Sequence, residues 1–190
     1  MQNYLDDLNF VADLLLDNKV ILSPTDTVWG LGCNAMSQIA VNKIYEIKQR
    51  DSDKPFILLV NSIEQLKKYI KHVHPRIETL IHFHQRPLSI VYEANGHLPT
   101  YLKNKDNTVA IRVTKNQMLI DLINKINQPL VSTSANIQGS PTPSKYEEVQ
   151  SNILEKVDYI FKSERKSQDS NPPSMLIKFD EEGELIFLRK

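Results

Sequence analysis

Apolar residues recur along this chain with two different periods. Leu5, Leu8, Val11, Ala12, Leu15 and Leu16 keep the three-to-four spacing of one helix face, so residues 4–17 read as an amphipathic helix ended by Asp17-Asn18. Ala40, Val41, Ile44 and Ile47 repeat the pattern over 37–48, with Ser37 as N-cap. Met118, Leu119, Leu122, Ile123 and Ile126 repeat it again. Residues 62–71, with Ser62 and Gln65 spaced as a capping box, and 76–83 read as further helices. Another helix is read near 144–150. Short apolar and β-branched runs at 20–22, 55–60, 88–92, 108–113, 129–131 and 157–161 read as strands. Residues 174–179 and 184–188 form a hairpin around Asp180-Glu181-Glu182-Gly183. Helix and strand alternate up to about residue 135. The expected fold is one α/β (α+β) domain over 1–190, a twisted mixed sheet flanked by helices, with late antiparallel strands and a concave cleft. The polar stretch 162–173 reads as a mobile loop.

The candidate chemistry sits where those runs end. Lys48, Arg50 and Lys54 fall within seven residues, after the second helix and before Phe56-Ile57-Leu58-Leu59-Val60. Such cations complement a helix dipole. Alternatively, a chain that turns at Lys48 aims Lys48 and Arg50 into one cleft, as fork and point charge for an anion. Ser23-Pro24-Thr25-Asp26-Thr27-Val28-Trp29-Gly30-Leu31-Gly32 is either a turn closed by Asp26 or a ligand loop with Thr27 as hydroxyl donor. Ser132-Thr133-Ser134-Ala135-Asn136 ends a strand, where ligands gather in α/β sheets. In an extended chain Ser132 and Ser134, with Asn136 beyond, share a side. The other reading is a hydroxyl-capped turn. Arg112 matters only if its strand end is shared with residues 48–54.

Composition narrows the classes. Lys+Arg and Asp+Glu both number 23, so no global charge draws the chain to nucleic acid or membrane, while a local basic cleft stays open. Cys33 stands alone, which excludes an intramolecular disulfide or a thiolate zinc knuckle and suits a reducing cytoplasm. The N-terminus has no basic segment and no long apolar run, so neither leader nor membrane span is expected. His72, His74, His82 and His84 sit in or beside helices, where residues two apart diverge, and read as polar surface rather than metal ligands. No Gly-x-Ser-x-Gly elbow, Walker A sequence or Gly-x-Gly-x-x-Gly turn is present, which argues against covalent serine chemistry.

In this order and spacing the three stretches resemble the YrdC/TsaC family, the L-threonylcarbamoyladenylate synthases, over about residues 8–188. Arg112 in Ala-Ile-Arg-Val and the late Pro173-Ser174 add to the likeness. The resemblance implies a nucleotidyltransferase that turns L-threonine, bicarbonate and ATP into threonylcarbamoyl-AMP and pyrophosphate. The product serves threonylcarbamoylation of adenosine 37 in tRNAs reading codons that begin with A. It implies catalytic roles for Lys48 and Arg50, threonine contacts from Thr27, Arg112, Ser132 and Ser174, and nucleotide contacts from Arg50, Lys54, Ser134 and Asn136. Mg2+ would come with ATP, held mainly by its phosphates. Weakly bound tRNA and separate threonylcarbamoyl-transfer proteins are the further partners implied, in the cytoplasm and without a membrane. The alternative is a non-catalytic RNA-binding module of the same fold; a carbamoyl-transfer relative is disfavoured because no acylphosphatase or zinc-finger segment is attached. Two departures stand out: His84-Gln85-Arg86-Pro87 replaces the family's Trp-Pro-Gly-Pro, and Asn171-Pro172-Pro173-Ser174 lacks the Arg that some members place before it.

Overall fold

The computed structural model describes residues 5–165, 172–180 and 182–189. The helices start where short polar side chains meet free amides. Asp7 accepts from the N–H of Asn9 and Phe10 to open α1 (Leu8–Leu16). Ser37 accepts from Ala40 to open α2 (Gln38–Lys48). The others are α3 (Ile63–Lys67), α4 (Pro75–Phe83), α5 (Gln117–Ile126) and α6 (Ser151–Leu154). The strands are β1 (Ile21–Ser23), β2 (Gly30–Asn34), β3 (Ile57–Val60), β4 (Leu88–Glu93), β5 (Thr108–Val113), β6 (Leu130–Ser134), β7 (Tyr159–Ile160), β8 (Met175–Phe179) and β9 (Leu185–Arg189). No helix among the described residues is long and apolar enough to cross a membrane.

All nine strands form one mixed sheet, in the order β7-β1-β2-β6-β3-β5-β4-β8-β9. Its register decides which side chains meet. Antiparallel pairing sets Gly32 beside Ser132 and Gly30 beside Ser134; Ser132 then lies beside Ile57 on β3. On the other side of the centre, parallel β4–β8 pairing sets Ser89 beside Leu176, and β8–β9 pairing sets Leu176 beside Arg189. Side chains in one lateral row share a face, and every second residue returns to it. One face of the central strands therefore gathers Ser132, Ser134, Ala110 and Arg112 with Leu176 and Arg189. Below them the core is made of fully buried Leu31, Leu58, Ile90, Ile111 and Val131, with Cys33 buried among it.

Several expectations are corrected. Gly30-Leu31-Gly32 continues into a buried strand rather than lying wholly in a loop, because its carbonyls and amides pair with β1 on one side and β6 on the other. The helix expected over 62–71 stops at Lys67; Tyr69 and Lys71 instead bond across to Asn95 and Glu93. The helix expected near 144–150 is a 3-10 turn at Tyr146–Glu148 followed by the short α6. Within the stretch read as a loop, residues 166–171 lie outside the described ones. Its start is tied down: the Asp6 carboxylate accepts from the amides of Lys162 and Ser163 and from the Ser163 hydroxyl. The histidines serve local structure: His74 Nδ1 accepts from the Arg76 amide at the start of α4 and its ring stacks on Phe179. No cluster of three or more metal-ligating side chains occurs among the described residues.

Candidate active site

Helix α2 ends at Lys48 because Gln49 adopts the left-handed conformation, φ 49°, and turns the chain. That turn separates the two cations expected to act together. Arg50 swings toward the open face of the sheet. Its Nε donates to the Lys54 carbonyl at 3.0 Å, and its guanidinium lies 5.1 Å from the centre of the Phe56 ring, which Tyr45 stacks from 4.3 Å. Lys48 goes the other way. It is 2% exposed, and its ammonium donates to the carbonyl of Ser134, to the carbonyl of Asn136 at 2.7 Å and to Asn136 Oδ1 at 3.2 Å. Burial, and then the nearby Arg50 charge, bring the Lys48 ammonium down to about 8. The Gln138 amide completes the clasp by donating to the Lys48 carbonyl at 2.9 Å. Lys48 thus grips the loop after β6 from beneath.

A cavity of about 270 Å³ opens over the sheet rows described above. Arg50, Arg112 and Arg189 line it, with Thr25, Thr27, Ser132, Thr133, Ser134, Thr142 and Ser174. Its apolar patches come from Phe56, Ile57, Ala110 and Leu176. No carboxylate is among these described lining residues, so three guanidiniums and seven hydroxyl-bearing residues line a hollow on a chain of zero net charge. Such a surface selects oxyanions.

Arg112 is 3% exposed and enters from β5. Its Nη1 lies 3.4 Å from Asp26 Oδ1 and donates to Thr27 Oγ1 at 3.4 Å, while its Nε has no hydrogen-bond partner among the described residues. Burial, followed by the opposed pull of Asp26 and the repulsion of Arg189, leaves the guanidinium below its ordinary value; it stays charged. Thr25 shapes the loop that carries Thr27: its hydroxyl donates to the Val28 carbonyl at 2.8 Å and accepts from the Thr27 amide at 3.0 Å. Gly30 keeps the floor low, because a Cβ there would lie 3.1 Å from the Thr133 carbonyl and 3.6 Å from Ser132 Oγ.

Of the residues read from the sequence, Thr27, Arg50, Arg112, Ser132, Ser134 and Ser174 meet at this hollow. Three do not line it. Lys48 is turned to the loop carbonyls. Asn136 spends its amide inside the same loop, accepting from Ser134 Oγ at 2.5 Å and donating to the Ser140 carbonyl at 2.6 Å. Lys54 is exposed and pairs with Asp51 at 2.9 Å. Thr142 and Arg189 were missed. Arg189 donates from Nε to the Ser174 carbonyl and from Nη2 to Ser174 Oγ, each at 3.0 Å. An arginine therefore does stand beside Ser174, but β9 supplies it. Its one signal in the sequence is a cation, followed by Lys190, closing the apolar run Leu185-Ile186-Phe187-Leu188.

Comparison with known proteins gives concordant results. Residues 13–190 match the Sua5/YciO/YrdC family model, described as "Telomere recombination". The threonylcarbamoyl-AMP synthase of Escherichia coli O1:K1 / APEC is 35% identical over 147 residues, covering 76% of this chain and 77% of that protein. P. abyssi Sua5 complexed with L-threonine superposes with a TM-score of 0.83 at 29% identity, over 96% of this chain and 53% of that one. The chain thus spans about half the length of Sua5. E. coli YciO shares the fold, with a TM-score of 0.82 at 24% identity over 96% of this chain and 88% of its own.

Proposed function

The chain belongs to the Sua5/YciO/YrdC family, and on that footing we propose that it is a threonylcarbamoyl-AMP synthase. L-threonine, bicarbonate and ATP become threonylcarbamoyl-AMP, pyrophosphate and water, which makes the enzyme a nucleotidyltransferase. The observation that carries the reading is the hollow itself: three guanidiniums and seven hydroxyl-bearing residues with no carboxylate among the described lining residues, Asp26 pairing with Arg112 from behind, where both co-substrates and ATP are anionic at one end.

The chemistry asks for placement more than for covalent help. The threonine amine must meet bicarbonate to form a carbamate, whose oxygen then attacks the α-phosphorus as pyrophosphate leaves. Holding these partners together removes much of the entropic barrier. Fixed donors then stabilise the charge that moves onto the leaving oxygen. Arg112 and Thr27, deepest in the hollow, suit the threonine carboxylate. Arg50 and Ser132 suit the triphosphate, with Ser134, whose proton goes to Asn136 Oδ1, shaping the wall beside them. Lys48 contributes by fixing the backbone that carries Ser134, and its charge lies close enough to Arg50 to shape the field there. The lining offers hydroxyls and carbonyls but no carboxylate, so Mg2+ would be held by ATP's own phosphates, where it neutralises charge on the leaving group. The product would pass to separate proteins that modify adenosine 37 of tRNA. Cations sunk in a hollow this size suit small anions better than an RNA surface, which disfavours the RNA-module alternative.

The direct test incubates pure protein with ATP, Mg2+, L-threonine and bicarbonate and looks for threonylcarbamoyl-AMP by mass. Product that persists without threonine, or no product at all, would remove the assignment. A second test uses the floor of the hollow. Gly30→Ala forces the Thr133 carbonyl or Thr25 to give way, a crowding that costs about 1–3 kcal/mol. Substrate affinity is expected to fall roughly tenfold, since 1.4 kcal/mol is a factor of ten. Steady-state kinetics alongside a melting curve checks this; unchanged KM values would show that no substrate uses the space above Gly30.

A further inference from the structure

Ser89 is a hydroxyl on β4 between buried Leu88 and Ile90, and it is completely buried. It is not among the residues that line the hollow. Among the described residues its one hydrogen-bond partner is Ser174 Oγ, 2.9 Å away, itself 4% exposed. Ser174 Oγ also accepts from Arg189 Nη2 at 3.0 Å. The direction of the Ser89–Ser174 bond follows from counting protons and lone pairs.

A serine hydroxyl has one proton and two acceptor lone pairs. Arg189 fills one lone pair of Ser174. The Ser89 proton, in a site closed to water, has Ser174 Oγ as its acceptor, and a buried proton left without an acceptor is costly. Ser89 therefore donates, and fills the second lone pair. Both lone pairs of Ser174 are then occupied, and its own proton is left over, at a residue that lines the hollow. Two donors on one oxygen also make its proton a better donor, because chained hydrogen bonds polarise one another.

We propose that Ser89 is a positioning residue: together with Arg189 it commits the Ser174 hydroxyl to donate into the hollow, toward an oxyanion of a substrate. Resting on the synthase reading, this oxyanion is either the threonine carboxylate or a phosphate of ATP. Ser89 touches neither. It acts by denying Ser174 any partner behind it.

The experiment compares Ser89→Ala, Ser89→Thr, Ser174→Ala and the Ser89→Ala/Ser174→Ala double variant with the wild type. Each is measured for the KM of threonine, the KM of ATP, kcat and the melting temperature. Ser89→Ala frees a lone pair, lets the Ser174 hydroxyl rotate, and is expected to raise one of the two KM values about five- to tenfold, with kcat changed less. The KM that rises identifies the oxyanion: threonine's carboxylate or ATP's phosphate. Ser89→Thr keeps the hydroxyl and should restore the lower KM. In the double variant Ser89→Ala should add nothing to the loss from Ser174→Ala, because its effect passes through that hydroxyl. A purely structural Ser89 gives a different result, a lowered melting temperature with both KM values kept, or losses that multiply in the double variant; either overturns the proposal. Thermal shifts induced by threonine and by pyrophosphate, in the same proteins, read the hydroxyl without turnover. If the wild type makes no product, the synthase reading fails on its own, and the pattern of those shifts still decides the role of Ser89.

Discussion

Arg50→Ala is expected to cut threonine- and bicarbonate-dependent pyrophosphate release by about 10²–10³-fold, the cost of removing one preorganised donor from a developing oxyanion. The fold should survive. The guanidinium holds the Lys54 and Pro55 carbonyls and lies over Phe56, but it is half-buried, and such contacts are worth no more than about 1 kcal/mol each. Phe56 keeps its other partner, the Tyr45 ring. Arg50→Lys separates charge from shape: it retains the positive charge but loses the planar fork, and an intermediate loss of about tenfold is expected. The check is initial-rate pyrophosphate release with melting curves at the same pH. Full activity in Arg50→Ala would leave the open side of the hollow without its assigned nucleotide contact.

The contrast between Arg50 and Lys48 shows what the sequence could and could not reveal. Both are visible as cations at a helix end, and the apolar spacing correctly ends that helix at Lys48. Their divergence rests on one backbone angle, the left-handed φ of Gln49, and nothing about a glutamine announces it. The hydroxyls of Ser132 and Ser134 were legible because a strand alternates, and a strand was visible there. Arg189 was not legible. The hairpin that sets β9 beside β8 was visible, but the place of Arg189 over the hollow depends on β8 running parallel to β4, a long-range pairing that leaves no local trace. Ser89 was hidden for the same reason, as a single small polar residue in an apolar strand until Ser174 is brought against it. Asn136 and Lys54 stand outside the lining for a different reason: each has chemistry suited to a phosphate, but in this structure each holds a partner in its own loop.

Arg112→Met should be the most destabilising of the site substitutions. It removes one partner of a buried ion pair and leaves Asp26, whose Oδ1 lacks a hydrogen-bond partner among the described residues, as an uncompensated charge beside the Thr27 loop. Breaking such a pair costs about 3–5 kcal/mol. For a domain of this size each kcal/mol moves the melting temperature by about 2–4 °C, so a drop of roughly 6–20 °C is expected. Asp26→Asn in the same chain removes the stranded charge. The Asp26→Asn/Arg112→Met double variant should therefore recover much of the lost stability, because two neutral groups in place of a buried pair are often no worse than the pair itself. It should recover none of the activity if, as proposed, Arg112 holds the threonine carboxylate, which would still have lost its most buried cation. Melting curves and threonine KM values for the four corners of this cycle separate the two roles of one side chain. Activity returning together with stability in the double variant would mean that Arg112 only holds the Thr27 loop, and that threonine is bound without it.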